Sequence, residues 1–273
     1  MTEDYPPPEI ASSPQIDTSV SHSARVWDYW LGGKDNYPVD RVVGDRIAGM
    51  LPEIVAHARA NRMFLGRAVR FLAGEAGVRQ FLDIGAGLPT VDNTHEVAQR
   101  VAPECRVVYV DNDPLVLVHA KALLTSAPPG ATAYLHADLR EPGDLLAGAA
   151  STLNFTEPVA LMILGVLWHI LDDGQVRAIL GRLTGAVAPG SYLVIAHPTL
   201  EVTGEKMAAA IAYWNEHGTP AGRSRTPAEL AGLLDGLVLV EPGVVSSSRW
   251  RPEAAPFGDP EPVDQFCAVA RKP

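Results

Sequence analysis

Cysteine is nearly absent. Cys105 and Cys267 are the only two in 273 residues, too few and too far apart for a zinc cluster or a disulfide framework. Each sits in or beside an apolar run of strand character, so buried free thiols in a reducing cytoplasm are expected. No apolar stretch approaches the roughly 20 residues that span a bilayer, and the start, "MTEDYPPPEI", has neither the basic nor the apolar region of a secretory signal; export is not expected. Basic residues are in deficit, 22 Lys and Arg against 32 Asp and Glu for a net charge of -10, which repels a phosphate backbone. A nucleic-acid partner is not expected. No repeat period shows, no G-x-S-x-G elbow orders a nucleophilic serine, and no His, Cys, Asp or Glu spacing predicts a metal site.

What is present falls into three stretches. Residues 1–23 are rich in Pro, Ser and acids without periodicity and read as a flexible arm. Residues 24–77 read as helices. "ARVWDYWLGGKDNYPVDR" pairs Val26 with Trp30 and Trp27 with Leu31 at i,i+4 and offers Gly32 as a C-cap. "VDRVVGDRIAGML" predicts one apolar face of Val39, Val42, Val43, Ile47 and Met50, and a further helix runs from near Pro52 to Gly74 or Gly77. From Arg79 onward short apolar runs alternate with helical stretches, the pattern of an open α/β fold with a parallel sheet covered on both faces. Near the C-terminus Thr226 and Glu229 form a capping-box pair. The Pro-rich loop around Trp250 is expected to be exposed, with Trp250 a local anchor.

The sharpest local signal is "FLDIGAGLPT". A strand runs into Gly85-Ala86-Gly87, where missing side chains let the backbone turn tightly and approach a ligand. The next strand, "VVYV", ends at Asp111, the interval at which such folds put the carboxylate for ribose hydroxyls; the third ends near Asp138, able to accept from an exocyclic amine. These features in this order predict an adenosine-containing cofactor. The third glycine of a dinucleotide fingerprint is replaced by Thr90, and Asp83, two residues before Gly85, would repel a pyrophosphate but accept from a methionine ammonium. S-adenosylmethionine is therefore favoured over NAD.

These segments, with "ARANRMFLGRAVRFL", "VVYVDNDPLVLVHAKALL", "ADLREP", "APGSYLVIAHPT" and "RTPAELAGLLDGLVLVEPGVV", resemble an actinobacterial S-adenosylmethionine-dependent methyltransferase family long catalogued as a domain of unknown function. The resemblance implies a class I methyltransferase (Rossmann-like) three-layer sandwich, with a seven-stranded, mostly parallel sheet whose last strand is antiparallel and with added N-terminal helices. It divides the chain into the arm, a helical lid over 24–77 and a methyltransferase core over 78–273. Cofactor contacts carry over onto Asp83, Gly85, Gly87, Asp111 and Asp138, with Asn112 and Leu139 beside the last two. The physiological methyl acceptor does not carry over.

A lid formed by the opening segment predicts further contacts. Gly32 and Gly33 would let the backbone approach the ligand, Arg25 or Lys34 would meet the methionine carboxylate, Asn36 would add a polar contact, and Tyr29 or Tyr37 would flank the sulfonium or the acceptor. Asn61 and Arg62 offer another pair, Arg62 being an alternative carboxylate clamp. After the fourth strand Gly165 and Val166 are expected at the cofactor's edge and Trp168 and His169 near the acceptor. His169 and Tyr29 are the catalytic candidates, His169 because an ordinary imidazole titrates near neutrality; His197 is expected to face the same cleft. A small-molecule oxygen or nitrogen acceptor is the leading expectation. A non-catalytic S-adenosylmethionine-binding regulator and an NAD-dependent oxidoreductase are the alternatives; a second pocket filled by Trp168 or Tyr29 would favour the regulator.

Overall fold

The computed structural model describes residues 16–123, 125–253 and 258–273. Most of the expected N-terminal arm, Leu124 at the end of one expected helix and part of the Trp250 loop lie outside them. In chain order the elements are β1 (Ser21–His22), α1 (Ser23–Trp30), α2 (Pro38–Met50), α3 (Ile54–Gly74), β2 (Gln80–Ile84), α4 (Thr94–Val101), β3 (Arg106–Asp111), α5 (Pro114–Leu123), β4 (Ala131–His136) and α6 (Pro142–Ala149). There follow β5 (Ala160–Leu164), a 3-10 turn over Leu167–His169, α7 (Asp173–Ala186), β6 (Tyr192–Pro198), α8 (Glu205–His217), β7 (Gly218–Thr219), α9 (Pro227–Gly232), β8 (Val238–Leu239), β9 (Val245–Ser246) and β10 (Gln265–Arg271).

The main sheet runs β4-β3-β2-β5-β6-β10-β8. Strands β2 to β6 pair in parallel, and β10 inserts antiparallel between β6 and β8. This is the class I methyltransferase arrangement, with the two-residue β9 added beside β10. Every residue of β2 is buried because the strand is covered on both faces, and alternation sorts its side chains. Leu82 and Ile84 join the layer of α6, α7 and α9; Phe81 joins that of α3 and α4. The chain leaves β2 toward β3 and β4 on one side, and β5 and β6 extend the other. The switch point therefore lies at the carboxyl end of β2, where the glycine loop begins.

A third apolar cluster, with Val26, Val43, Ile47, Met207 and Trp214, joins α1 and α2 to α8. The inner face of α2 differs from expectation. Asp40, Val43, Gly44 and Ile47 are buried, whereas Val42 is 65% exposed. The face is rotated because Asp40 occupies an inward position and Arg25 meets it there, Nε to Oδ2 3.0 Å. The same carboxylate accepts from the backbone N–H of His22 at 3.0 Å and of Tyr37 at 2.8 Å. Arg25 also donates to the carbonyls of Asp17 and Val20. One pair thus ties the chain entering α1 to the first turn of α2, while Ser21 and His22 pair in parallel with β7.

Two further expectations are corrected. Trp250 is fully buried, edge-on to Phe64 at 5.4 Å and Phe71 at 5.8 Å. Arg67 donates to the Trp250 and Ser247 carbonyls, so the first part of that loop is packed structure and Trp250 is its anchor. His197 does not open on the cleft. It is wholly buried, and its Nε2 accepts from Arg225 Nη1 at 2.8 Å. Arg225, 2% exposed, also donates to the Leu167 and Ile170 carbonyls and to Asp173. Burial above all, with Arg225 adding to it, lowers the His197 pKa to about 3. Cys105 and Cys267 are buried and free. No helix among the described residues is long and apolar enough to cross a membrane.

Two stability measurements check these packing arguments. Asp40→Ala leaves Arg25 buried and uncompensated and should cost about 3–5 kcal/mol in urea unfolding; Val42→Ala, on the outer face of the same helix, should change stability by less than about 0.5 kcal/mol. The unfolded chain protonates His197 near its ordinary pKa while the folded chain resists until about 3, so stability should fall as pH drops from about 6.5 toward that value. A smaller difference between urea midpoints at pH 7.5 and pH 5 in His197→Gln than in the parent would confirm that source, and an equal one would exclude it.

Candidate functional site

The backbone after β2 turns back on β3. Gly85 (φ +73°) and Ala86 donate to the Val110 carbonyl at 2.8 and 3.2 Å. A Cβ at Gly85 would stand 2.6 Å from the Val166 Cβ, so the turn requires glycine both for its dihedral and for its neighbour. Gly87 (φ +65°) is different, since a Cβ there would meet nothing within 4 Å. Its open side adjoins a cavity of about 180 Å³ at the carboxyl ends of β2, β3, β4 and β5. The Gly87 N–H donates to Asp111 Oδ2 at 2.9 Å, and the Asp113 N–H donates to Oδ1 at 2.9 Å. Those two bonds fix the carboxylate and leave each oxygen a further lone pair. Burial pushes the Asp111 pKa up, against the two backbone donors.

At the inner end of the cavity Asp83 is buried and accepts from Thr94 Oγ1 at 2.6 Å. Desolvation raises its pKa, while Thr94 and the Arg62 charge oppose the rise. Arg62 lines the same cavity and is steadied by the Val91 carbonyl at 2.9 Å and Asn93 Oδ1 at 3.3 Å. Asn61 lines it too, and its buried Oδ1 has no partner among the described residues. At the outer end Asp138 accepts from Asn112 at 3.0 Å and from the Arg140 backbone at 2.8 Å. Burial raises the Asp138 pKa, but those bonds and the Arg140 charge outweigh it and hold the carboxyl below its usual range. Leu139 and Gly165 complete this wall.

The opening segment reaches the cavity through Ser23, Ala24, Trp27, Asp28 and Leu31, not through the residues expected. Arg25 is turned into the Asp40 pair. Lys34 is exposed and does not line the cavity. Gly33 accommodates a side chain rather than a ligand, since a Cβ there would lie 1.9 Å from Asp28 Oδ1. Asn36 is a neighbour of that carboxylate, donating to Asp28 Oδ2 at 2.8 Å. Tyr29 points the other way, its ring against Gly44 and its hydroxyl donating to Asp45 at 2.6 Å. Tyr37 lies under the Arg25 guanidinium at 5.2 Å. Asp28, buried and raised in pKa chiefly by desolvation, was not anticipated. Its signal was an acid inside an otherwise apolar helical stretch, five residues before Gly33.

His169 lines the cavity, but not as a near-neutral base. Its Nδ1 is 3.1 Å from the Ala221 carbonyl and its Nε2 3.1 Å from Ser23 Oγ. Burial is the main cause that lowers its pKa to about 4. The imidazole is a neutral bridge between the opening segment and the 218–222 loop. Trp168 lines a second cavity of about 60 Å³, which shares Ser23, Trp27 and Gly165 with the first.

A family model described as S-adenosyl methyltransferase matches residues 9–273. A DUF574 family protein from Streptomyces avermitilis MA-4680 is similar at 45% identity and TM-score 0.90, over 95% of this chain and 100% of its own. A candidate methyltransferase from Thermobifida fusca YX is similar at 39% identity and TM-score 0.84, over 99% of each chain. No protein of curated function matches. The glycine turn, the fixed Asp111 and the sheet order stand in a chain that belongs to the S-adenosyl methyltransferase family and is an S-adenosylmethionine-dependent methyltransferase.

Proposed function

We propose that this chain transfers the methyl group to an oxygen or nitrogen of a small molecule, in the cytoplasm of an actinobacterium. The Streptomyces and Thermobifida relatives support the source, the two buried free thiols the compartment, and the net charge of -10 a partner other than nucleic acid. The NAD-dependent alternative is overturned by the family. The observation that carries the catalytic reading is the second cavity adjoining the first: Tyr29 is turned away from it, and Trp168 lines rather than fills it.

The first cavity suits S-adenosylmethionine in its donor set. Gly87 presents open space, Asn61 Oδ1 lacks a partner among the described residues, and acids stand at both ends. In this reading Asp111 accepts from the ribose hydroxyls, Asp138 and Asn112 face the adenine beside Leu139, Gly87 and Gly165 leave room for the cofactor's spine, and Gly85 lines the cavity with its backbone. Asp83 and Asn61 take the ammonium, and Arg62 takes the carboxylate, the role left open when Arg25 and Lys34 prove to be elsewhere. The bound cofactor supplies a methyl group already activated by the sulfonium. The chain's own contribution is alignment and exclusion of water. Helices α1 and α2 with the strand β1 act as the lid, closing the cavity through Trp27 and Asp28.

Asp111→Ala should weaken S-adenosylmethionine binding by about 1.5–3 kcal/mol through lost charged hydrogen bonds; parental affinity by calorimetry would remove Asp111 from the ribose site. Lid closure predicts that bound S-adenosylmethionine slows backbone hydrogen exchange across residues 21–31 relative to the free protein, and unchanged exchange there would refute the lid.

A further inference from the structure

Four of the chain's five tryptophans, Trp27, Trp30, Trp168 and Trp214, line the second cavity. Among the described residues no Asp, Glu, Lys or Arg does. Two of the indoles are seated by glycines. A Cβ at Gly222 would fall 2.1 Å from Trp168 and one at Gly218 2.5 Å from Trp214, and Trp214 Nε1 donates to the Pro220 carbonyl at 2.9 Å. The 218–222 loop thus packs against both of these indoles.

Set into those walls are two unsatisfied polar side chains. His57 and Gln265 line the cavity, each 3% exposed, and neither His57 Nδ1 nor Gln265 Nε2 has a partner among the described residues. Buried polar atoms without partners are rare and costly, and two of them facing one cavity offer a ligand a donor and an acceptor together. Desolvation lowers the His57 pKa despite the opposing charges of Asp264 and Glu53, leaving a neutral ring that can accept.

We propose that this cavity seats the methyl acceptor, and that the acceptor is an uncharged aromatic molecule bearing a hydroxyl, read by His57 and Gln265. The inference rests on the methyltransferase reading and names its substrate class. A flat ring matches the indole walls, and a charged group would lose its solvation with nothing to pair it. A hydroxyl both donates, here to His57 Nδ1, and accepts, here from the Gln265 amide; an aromatic amine accepts poorly and would leave Gln265 unpaired. Access to the methyl group is through the side shared at Ser23, Trp27 and Gly165. In transfer the hydroxyl oxygen bonds the methyl carbon as that carbon leaves sulfur, sulfur keeps the electron pair, and the hydroxyl proton passes to His57 Nδ1.

The tryptophans report occupancy of the cavity by their own fluorescence. With the full chain saturated by S-adenosylhomocysteine, phenol should produce a saturable change, toluene a change requiring about tenfold higher concentration, and benzoate none. His57→Leu and Gln265→Leu should each weaken phenol by about tenfold while binding S-adenosylhomocysteine at parental affinity, which also verifies that the variants fold. His57→Gln, able to hydrogen-bond but not to take a proton, should hold phenol within about threefold of parent yet slow single-turnover methyl transfer to phenol by about a hundredfold. No saturable response to phenol, or parental phenol affinity in both leucine variants, overturns the acceptor site while S-adenosylhomocysteine still binds. Failure of the parent to bind S-adenosylhomocysteine overturns the cofactor reading and the inference with it.

Discussion

The buried pair of Arg25 and Asp40 sets the position of the opening segment against α2. Ions this far from water are held only where geometry and additional hydrogen bonds offset desolvation. Here Asp40 accepts two backbone N–H groups besides the guanidinium, and Arg25 donates to two carbonyls of the preceding chain. The pair fixes the start of α2 relative to α1 and draws the entering strand against β7. That fixed relation turns Trp27 and Asp28 toward the strand ends and Tyr29 toward α2. A neutral substitute would leave α1 tied to α2 by a small apolar cluster and the Tyr29–Asp45 hydrogen bond.

The same constraint explains which parts of the site were legible in the sequence. The glycine turn, Asp83, Asp111 and Asp138 are readable because each sits at a strand end, and strand ends in a parallel sheet converge whatever the rest of the chain does. The buried faces of β2 and the capped start of α9 are likewise local in origin. Failures occurred where a distant partner decides. Val42 counted as inward on apolar periodicity, but Asp40 claims that face because Arg25 waits there. Gly33 and Lys34 resembled ligand contacts, yet Gly33 is small to accommodate Asp28 five residues earlier. His169 was expected to titrate near neutrality and His197 to face the cleft. Burial, not visible from either residue's neighbours in sequence, holds both neutral.

The second cavity was the least readable feature because its walls come from seven separate parts of the chain: α1, α2, α3, the turn after β5, the end of β6, α8 and the start of β10. Helix α3 serves both cavities from adjacent turns. His57 lies on the tryptophan side, while Asn61 and Arg62, four and five residues on, reach the glycine loop. A helix rises about 1.5 Å per residue, so these groups stand roughly one turn apart along a rigid rod that also packs against the sheet. Gly165 (φ +82°) lines both cavities at the carboxyl end of β5, and a side chain there would intrude on the space they share. On the proposed reading, a cofactor met by Asn61 and Arg62 and an acceptor met by His57 would be kept in register by the backbone of one helix. For a reaction that demands in-line approach more than acid or base strength, alignment of that kind is the main thing a fold can contribute.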